Sequence, residues 1–239
     1  VGFQGLRSPE NRSYLYSKGE FITFIDDDDE ISSQKLEKQL QCLRGLDEEW
    51  GGCYTGYVVV KDSGQNQKSS ERRCGDCYMA ALMRTMYLGS GSNLFLRKKV
   101  VDEIGGYDES FERNQDIEFL VRVAELYKIA YVDEFLLTIY QQGNRTKRSF
   151  EEIDGYAKDY LKKFMSRIDK LKLEGRSRVI AVISLERCRV AFYHRKFIAG
   201  IKIIKENNVG LHYCWRYVKY LINRIITRKS YGFDGCDSV

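Results

Sequence analysis

Four aspartates stand in a row, Asp26–Asp29, directly after the apolar run Phe21–Ile25 in the stretch EFITFIDDDDEI. Carboxylates this close raise one another's proton affinity. A divalent cation removes the conflict, and hard oxygen ligands suit Mg²⁺ or Mn²⁺. The plain alternative is a solvated acidic turn that favours the start of a following helix. A further acid, Asp116, sits just after Asn114 at what reads as another helix start. The helix dipole favours an ionised carboxylate there, although capping alone also places Asp at such positions. Cys74-Gly-Asp-Cys77 is a single CxxC with no second pair, and the only histidines are His194 and His212. It reads as ordinary thiols rather than as a zinc or redox centre.

The spacing of the acidic run narrows its chemistry. An EF-hand loop needs Gly at its sixth position, where this chain has Ile31. A phosphatase of the haloacid-dehalogenase kind would use Asp26 as nucleophile, but Glu30 stands where it wants Thr or Val.

These residues need elements to hold them. Phe21–Ile25 is short and rich in β-formers, so it predicts a buried strand ending at the acids. Ser32 or Ser33 can cap the next helix, with Leu36, Leu40 and Leu43 on one face. Residues 54–61 predict a strand, 62–73 a mobile polar loop, 78–87 a helix, 92–97 a strand, and 98–104 a short helix closed by Gly105-Gly106. Asn114 is expected to cap a helix over 115–127, and 129–132 returns as a strand. Strands alternating with helices imply an α/β layer with a parallel or mixed sheet. In open sheets of this kind, ligands bind beyond the carboxyl ends of the strands, which is where Asp26–Asp29 fall. After Phe150 only helical patterns follow, near 151–173, 177–195, 197–206 and 212–229. The expected division is 1–150 and 151–239.

Composition sets outer limits. Apolar residues make up 43% of the 239, enough for a core, and Pro9 is the only proline. No stretch reaches the ~20 apolar residues of a membrane span. The odd count of seven cysteines suits a reducing compartment, so a cytoplasmic location, at or near the inner face of a membrane, is expected. Charge is divided: residues 1–155 carry a balance of −7 and residues 156–231 a balance of +14.

Two blocks together carry a family resemblance. KGEFITFIDDDDEISSQKLEKQL (Lys18–Leu40) and GSNLFLRKKVVDEIGGYDESFERNQDIEFLVRVAE (Gly91–Glu125) resemble, in order and spacing, the motifs of family 2 glycosyltransferases. The likeness spans roughly residues 10 to 146. It implies a GT-A fold, here followed by a helical tail. The implied reaction is metal-assisted, inverting transfer of a sugar from a nucleotide-diphosphate donor to a hydroxyl of a glycan or lipid-linked acceptor. Asp26 and Asp28 would form the Asp-x-Asp that meets Mn²⁺ or Mg²⁺, with Asp28 the main ligand and Asp26 facing the metal or the ribose. Asp29 would begin the helix. Asp116 would be the general base, with Glu112 and Glu118 as substitutes. Gln115 replaces the usual acid and would lose a contact to the acceptor. Gly91, Ser92 and Asn93 would line the donor pocket, and Gly105-Gly106 would lead into the acceptor loop. Arg145 and Lys147 would reach the diphosphate, although a surface charge run explains them as well. The base- and ribose-binding strands that the resemblance places ahead of this region have no counterpart, so the sequence is expected to start inside the fold.

The tail carries its own signal. Trp215, Val218, Ile222, Ile225 and Ile226 share one side of the helix over 212–229, and Arg216, Lys219, Arg224 and Arg228 flank or oppose it. Such a helix suits peripheral contact with an anionic membrane. The competing expectation is that it packs its apolar side on its own domain. No nucleic-acid motif accompanies the positive charge. An inactive membrane- or partner-binding remnant is the non-enzymatic alternative.

Overall fold

The computed structural model describes residues 9–111, 113–141, 148–227, 232, 233 and 235. Two compact units emerge, Val1–Ala81 with Met86–Arg145, and Leu82–Thr85 with Thr146–Val239.

The first unit is built on one mixed sheet of β1 (Phe21–Thr23), β2 (Asp29–Ile31), β3 (Trp50–Lys61), β4 (Asn66–Lys68), β5 (Phe95–Arg97) and β6 (Lys128–Gln141). The strand order is β1-β5-β3-β6-β2, with β4 added to β3. β3 and β6 run parallel, and the other pairs are antiparallel. Around the sheet lie α1 (Pro9–Tyr16), α2 (Lys35–Arg44), α3 (Tyr78–Leu82), α4 (Lys98–Ile104) and α5 (Gln115–Leu126). This is the mixed α/β architecture that the sequence pattern implies.

Several boundaries differ from expectation, each for a physical reason. β1 stops at Thr23, and Asp29 opens β2 rather than a helix. A turn closed by Asp29 N–H to the Asp26 carbonyl, at 3.2 Å, holds the acids between the two strands. α2 starts at Lys35 with no side-chain cap from Ser32 or Ser33. Its buried face is Lys35, Gln39 and Leu43, while Leu36 is 42% exposed. α3 ends at Leu82, and Arg84 then takes a left-handed φ of 59° that cannot continue a helix.

The segment over 62–73 is not wholly loop. β4 pairs with β3, and the buried Glu71 carboxylate meets the Arg73 guanidinium at 2.6 Å. The same carboxylate accepts the N–H groups of Arg72 and Arg73 at 3.1 Å and of Tyr87 at 3.3 Å.

The second unit holds α6 (Phe150–Asp169), α7 (Leu173–Tyr193), α8 (Phe197–Glu206) and α9 (Leu211–Thr227). Ser149 and Glu152 form a reciprocal capping box that starts α6. Tyr160, Phe164, Ile168, Val179 and Val182 are buried in its core. Asp154 is paired there with Arg187 at 2.6 Å and with Lys158 at 2.7 Å. Among the described residues, no helix is long and apolar enough to cross a membrane.

Candidate active site

The acidic tip between β1 and β2 folds over the short 3₁₀ turn Gly91–Asn93. Its grip is polar. The Asp26 N–H donates to Ser92 Oγ at 2.9 Å, and the Ser92 N–H donates to Ser90 Oγ at 3.0 Å. The Ser90 hydroxyl reaches Asp26 Oδ2 at 3.3 Å and also bonds Asp29 Oδ2. Oxygens of Asp26, Asp28 and Asp29 all lie within 4.8 Å of one another. Burial, helped by the charges of Asp29, Asp28 and Asp116, pushes the Asp26 carboxyl above its ordinary value, against a lowering hydrogen bond from Ser90. Convergent hard oxygens in mutual repulsion are the donor set a divalent cation relieves, so the residues fit Mn²⁺ or Mg²⁺.

Asp116 approaches the same turn. A Cβ built on Gly91 would stand 3.8 Å from the Asp116 Cβ and 3.7 Å from the Tyr107 hydroxyl. The fold therefore brings the two motifs together across one glycine. Asn114 stands at the N-cap position of α5, but with a left-handed φ of 59° and no side-chain cap bond. The capping role expected of its side chain is therefore not the one observed. Its carbonyl accepts the Glu118 N–H at 3.0 Å. Gln115 turns its amide to the Phe111 carbonyl at 2.5 Å.

Glu118 is wholly buried and paired with Arg122 at 2.7 Å, which commits it to structure. Arg122 also caps the end of α4, donating to the carbonyls of Ile104 and Gly106 at 2.7 Å each. Gly105 and Gly106 have φ of 80° and 74°, a region that disfavours side chains. A Cβ on Gly106 would meet Asn11 Oδ1 at 2.5 Å. Asn11, on α1, fixes the loop by accepting the Tyr107 N–H at 2.8 Å and donating to the Tyr107 carbonyl at 2.9 Å. The Tyr107 ring stacks on Phe119 at 4.3 Å and meets the edge of Phe24 at 5.2 Å.

Ser92 and Asn93 are wholly buried. The Asn93 amide accepts from Thr55 N–H at 3.0 Å and Thr55 Oγ1 at 2.9 Å. It donates to the carbonyls of Thr55 at 2.8 Å and Leu88 at 2.9 Å. These bonds bind the turn to β3. Arg145, Lys147 and Glu112 lie outside the described residues, as does Arg228 of the tail.

Cys77 is buried with its thiol pushed up to about 12 by burial, and Cys74 is exposed. Both are free, and neither joins a cluster of three or more metal-ligating side chains among the described residues.

Sequence reasoning passed over Lys35. Its ammonium is wholly buried beneath the site, donating to Gln39 Oε1 at 2.8 Å and the Ser92 carbonyl at 3.0 Å. The available signal was the i, i+4, i+8 spacing of Lys35, Gln39 and Leu43. Burial pushes Lys35 down from 10.5 to about 8, with Cys53 and Asp29 pulling the other way. Below about pH 8 both folded and unfolded chains hold the proton, and the full cost of burying the charge persists. Between about 8 and 10.5 the unfolded chain binds more protons, so stability rises with pH. Relative to Lys35→Met, the wild type should gain on the order of 3 kcal/mol across that window. Urea midpoints measured on both proteins from pH 7.5 to 10.5 test this, and parallel pH dependences would refute it.

Residues 4–163 match the family described as Glycosyltransferase like family 2. No curated protein matches the chain. Among solved structures, the crystal structure of S. aureus TarS 1-349 is similar at 14% identity and a TM-score of 0.46, covering 83% of this chain and 69% of that one. A crystal structure of S. aureus TarS is similar at 13% identity and a TM-score of 0.40, covering 80% of this chain and 40% of that one.

Proposed function

Since the chain belongs to the family 2 glycosyltransferases, we propose that it moves a sugar from a nucleotide-diphosphate donor to a hydroxyl of a glycan or lipid-linked acceptor, with inversion. The observation that most supports this reading is the approach of Asp116 to the Asp26–Asp28–Asp29 cluster across Gly91. The family match leaves the phosphatase alternative without support.

Asp28, with Asp26, would hold Mn²⁺ or Mg²⁺. When bound, the cation neutralises charge on the diphosphate leaving group. Asp116 takes the proton from the acceptor hydroxyl as that oxygen bonds to the anomeric carbon. The bond from that carbon to the diphosphate breaks, and the nucleoside diphosphate leaves with the electron pair. Gly91 keeps the space between the acids clear. Tyr107 and the Gly105-Gly106 turn, fixed by Asn11, form the wall facing the acceptor. Ser90 and Ser92 hold Asp26 in place.

Calorimetric titration with UDP and GDP, with and without Mn²⁺, tests the reading. Nucleotide should bind only with the metal, and Asp28→Ala should weaken it at least about tenfold, the loss of one charge-assisted contact worth about 1.5–3 kcal/mol. Binding that ignores both EDTA and Asp28→Ala would overturn it.

A further inference from the structure

α9 packs the less expected of its two faces. The side turned inward is tyrosine: Tyr213 and Tyr217 are buried, and the Tyr217 hydroxyl donates to Glu186 Oε1 of α7 at 2.7 Å. Phe233 closes the contact, with ring centroids 5.0 Å from Tyr217 and 5.6 Å from Tyr220. The aliphatic side is turned to solvent. Leu211, Trp215, Val218, Ile222, Ile225 and Ile226 are 86, 62, 46, 52, 77 and 74% exposed. At 3.6 residues per turn these positions fall within an arc of about 100°. The expectation that the helix hides this stripe on its own domain is therefore not met.

The surface continues beyond α9. Ile198 of α8 is 86% exposed and Ile201 is 50% exposed. Ile201, Ile204, Lys205 and Leu211 line one open groove of about 670 Å³. Lys219 borders the apolar stripe, while Arg216 and Arg224 stand on the opposite half of the helix. α9 has Arg216, Lys219 and Arg224 and no acid, and the Lys219 ammonium sits 5.6 Å over the Trp215 ring.

We infer that the outward face of α8 and α9 docks on an anionic lipid bilayer, with the aliphatic stripe entering the headgroup boundary, Lys219 meeting lipid phosphates at its edge, and the +14 balance of residues 156–231 drawing the region to the surface. A second copy fits poorly, because residues 156–231 carry +14 and would face an equal charge. A nucleic acid would leave six exposed apolar side chains without a partner. This inference is independent of sugar transfer.

The full chain would be sedimented with phosphatidylcholine vesicles with and without phosphatidylglycerol. Binding should require phosphatidylglycerol and weaken with salt. Ile222→Asp with Ile225→Asp should reduce it at least about tenfold, and Lys219→Gln about fivefold. All three positions are exposed, so unchanged circular dichroism and melting temperature verify the fold. The Trp215 emission should shift to the blue on binding, read in a Trp50→Phe background. Three results would each overturn the inference: no vesicle binding, binding that ignores Ile222→Asp with Ile225→Asp, or a dimer in sedimentation that those substitutions dissolve.

Discussion

Replacing Asp116 with Asn is expected to reduce turnover about a thousandfold while leaving metal-dependent nucleotide binding within a factor of about two, the range general-base loss produces. The substitution keeps shape and removes only the ability to take a proton. Its neighbours support a selective effect. Asp116 is exposed at the start of α5, beside Gly91 and the Tyr107 hydroxyl. Glu118, two residues along α5, cannot stand in, because both its oxygens are engaged by Arg122 at 2.8 and 2.7 Å. Steady-state kinetics with saturating donor, alongside calorimetry of the same variant, separate the two effects. A variant retaining more than about a tenth of wild-type turnover would place the base elsewhere.

Arg122→Met should cost about 3–5 kcal/mol of folding stability. Glu118 is wholly buried, and without the guanidinium its charge has no compensation. The carbonyls of Ile104 and Gly106 lose their donor as well. A natural domain has only about 5–15 kcal/mol in total, so much of it would be gone. Adding Glu118→Leu should restore most of the loss, since removing both charges spares the buried ion. Urea unfolding of the single and double variants measures this cycle. If the double variant is as unstable as the sum of the singles, the cost lies in packing rather than in charge. Because Arg122 ties α5 to the end of α4, the pair also holds Asp116 and the Gly105-Gly106 turn in one frame.

The strands β1, β3, β5 and β6 and the helices from α2 onward were readable because they depend on apolar runs and glycine punctuation, whereas α1, β2 and β4 were not expected. What also escaped was polar burial. Lys35 and Gln39 look like surface residues of α2, yet Gln39 donates to the carbonyls of Cys53 at 3.3 Å and Asn93 at 3.2 Å. Such a face is stable only because partners distant in sequence satisfy it, and no local pattern displays them. β6 was readable only as IAYV because Asp133 and Glu134 break the apolar run, although the strand continues to Gln141. Its ladder with β3 shifts register on both sides of Gly56, where a Cβ would stand 2.9 Å from the Phe135 ring. In α9 the aliphatic stripe drew attention to the wrong face, since tyrosines can be buried when their hydroxyls find acceptors.

The parallel ladder of β3 and β6 lies at the middle of the sheet. Its strands are far apart along the chain, with α3, α4 and α5 between them. Closing so long a loop has an entropic cost that no local contact offsets beforehand. The strands on either side are short: β5 joins β3 directly, while β2 holds to the sheet through β6. Pairing between segments so distant in sequence slows folding relative to a unit held by local contacts.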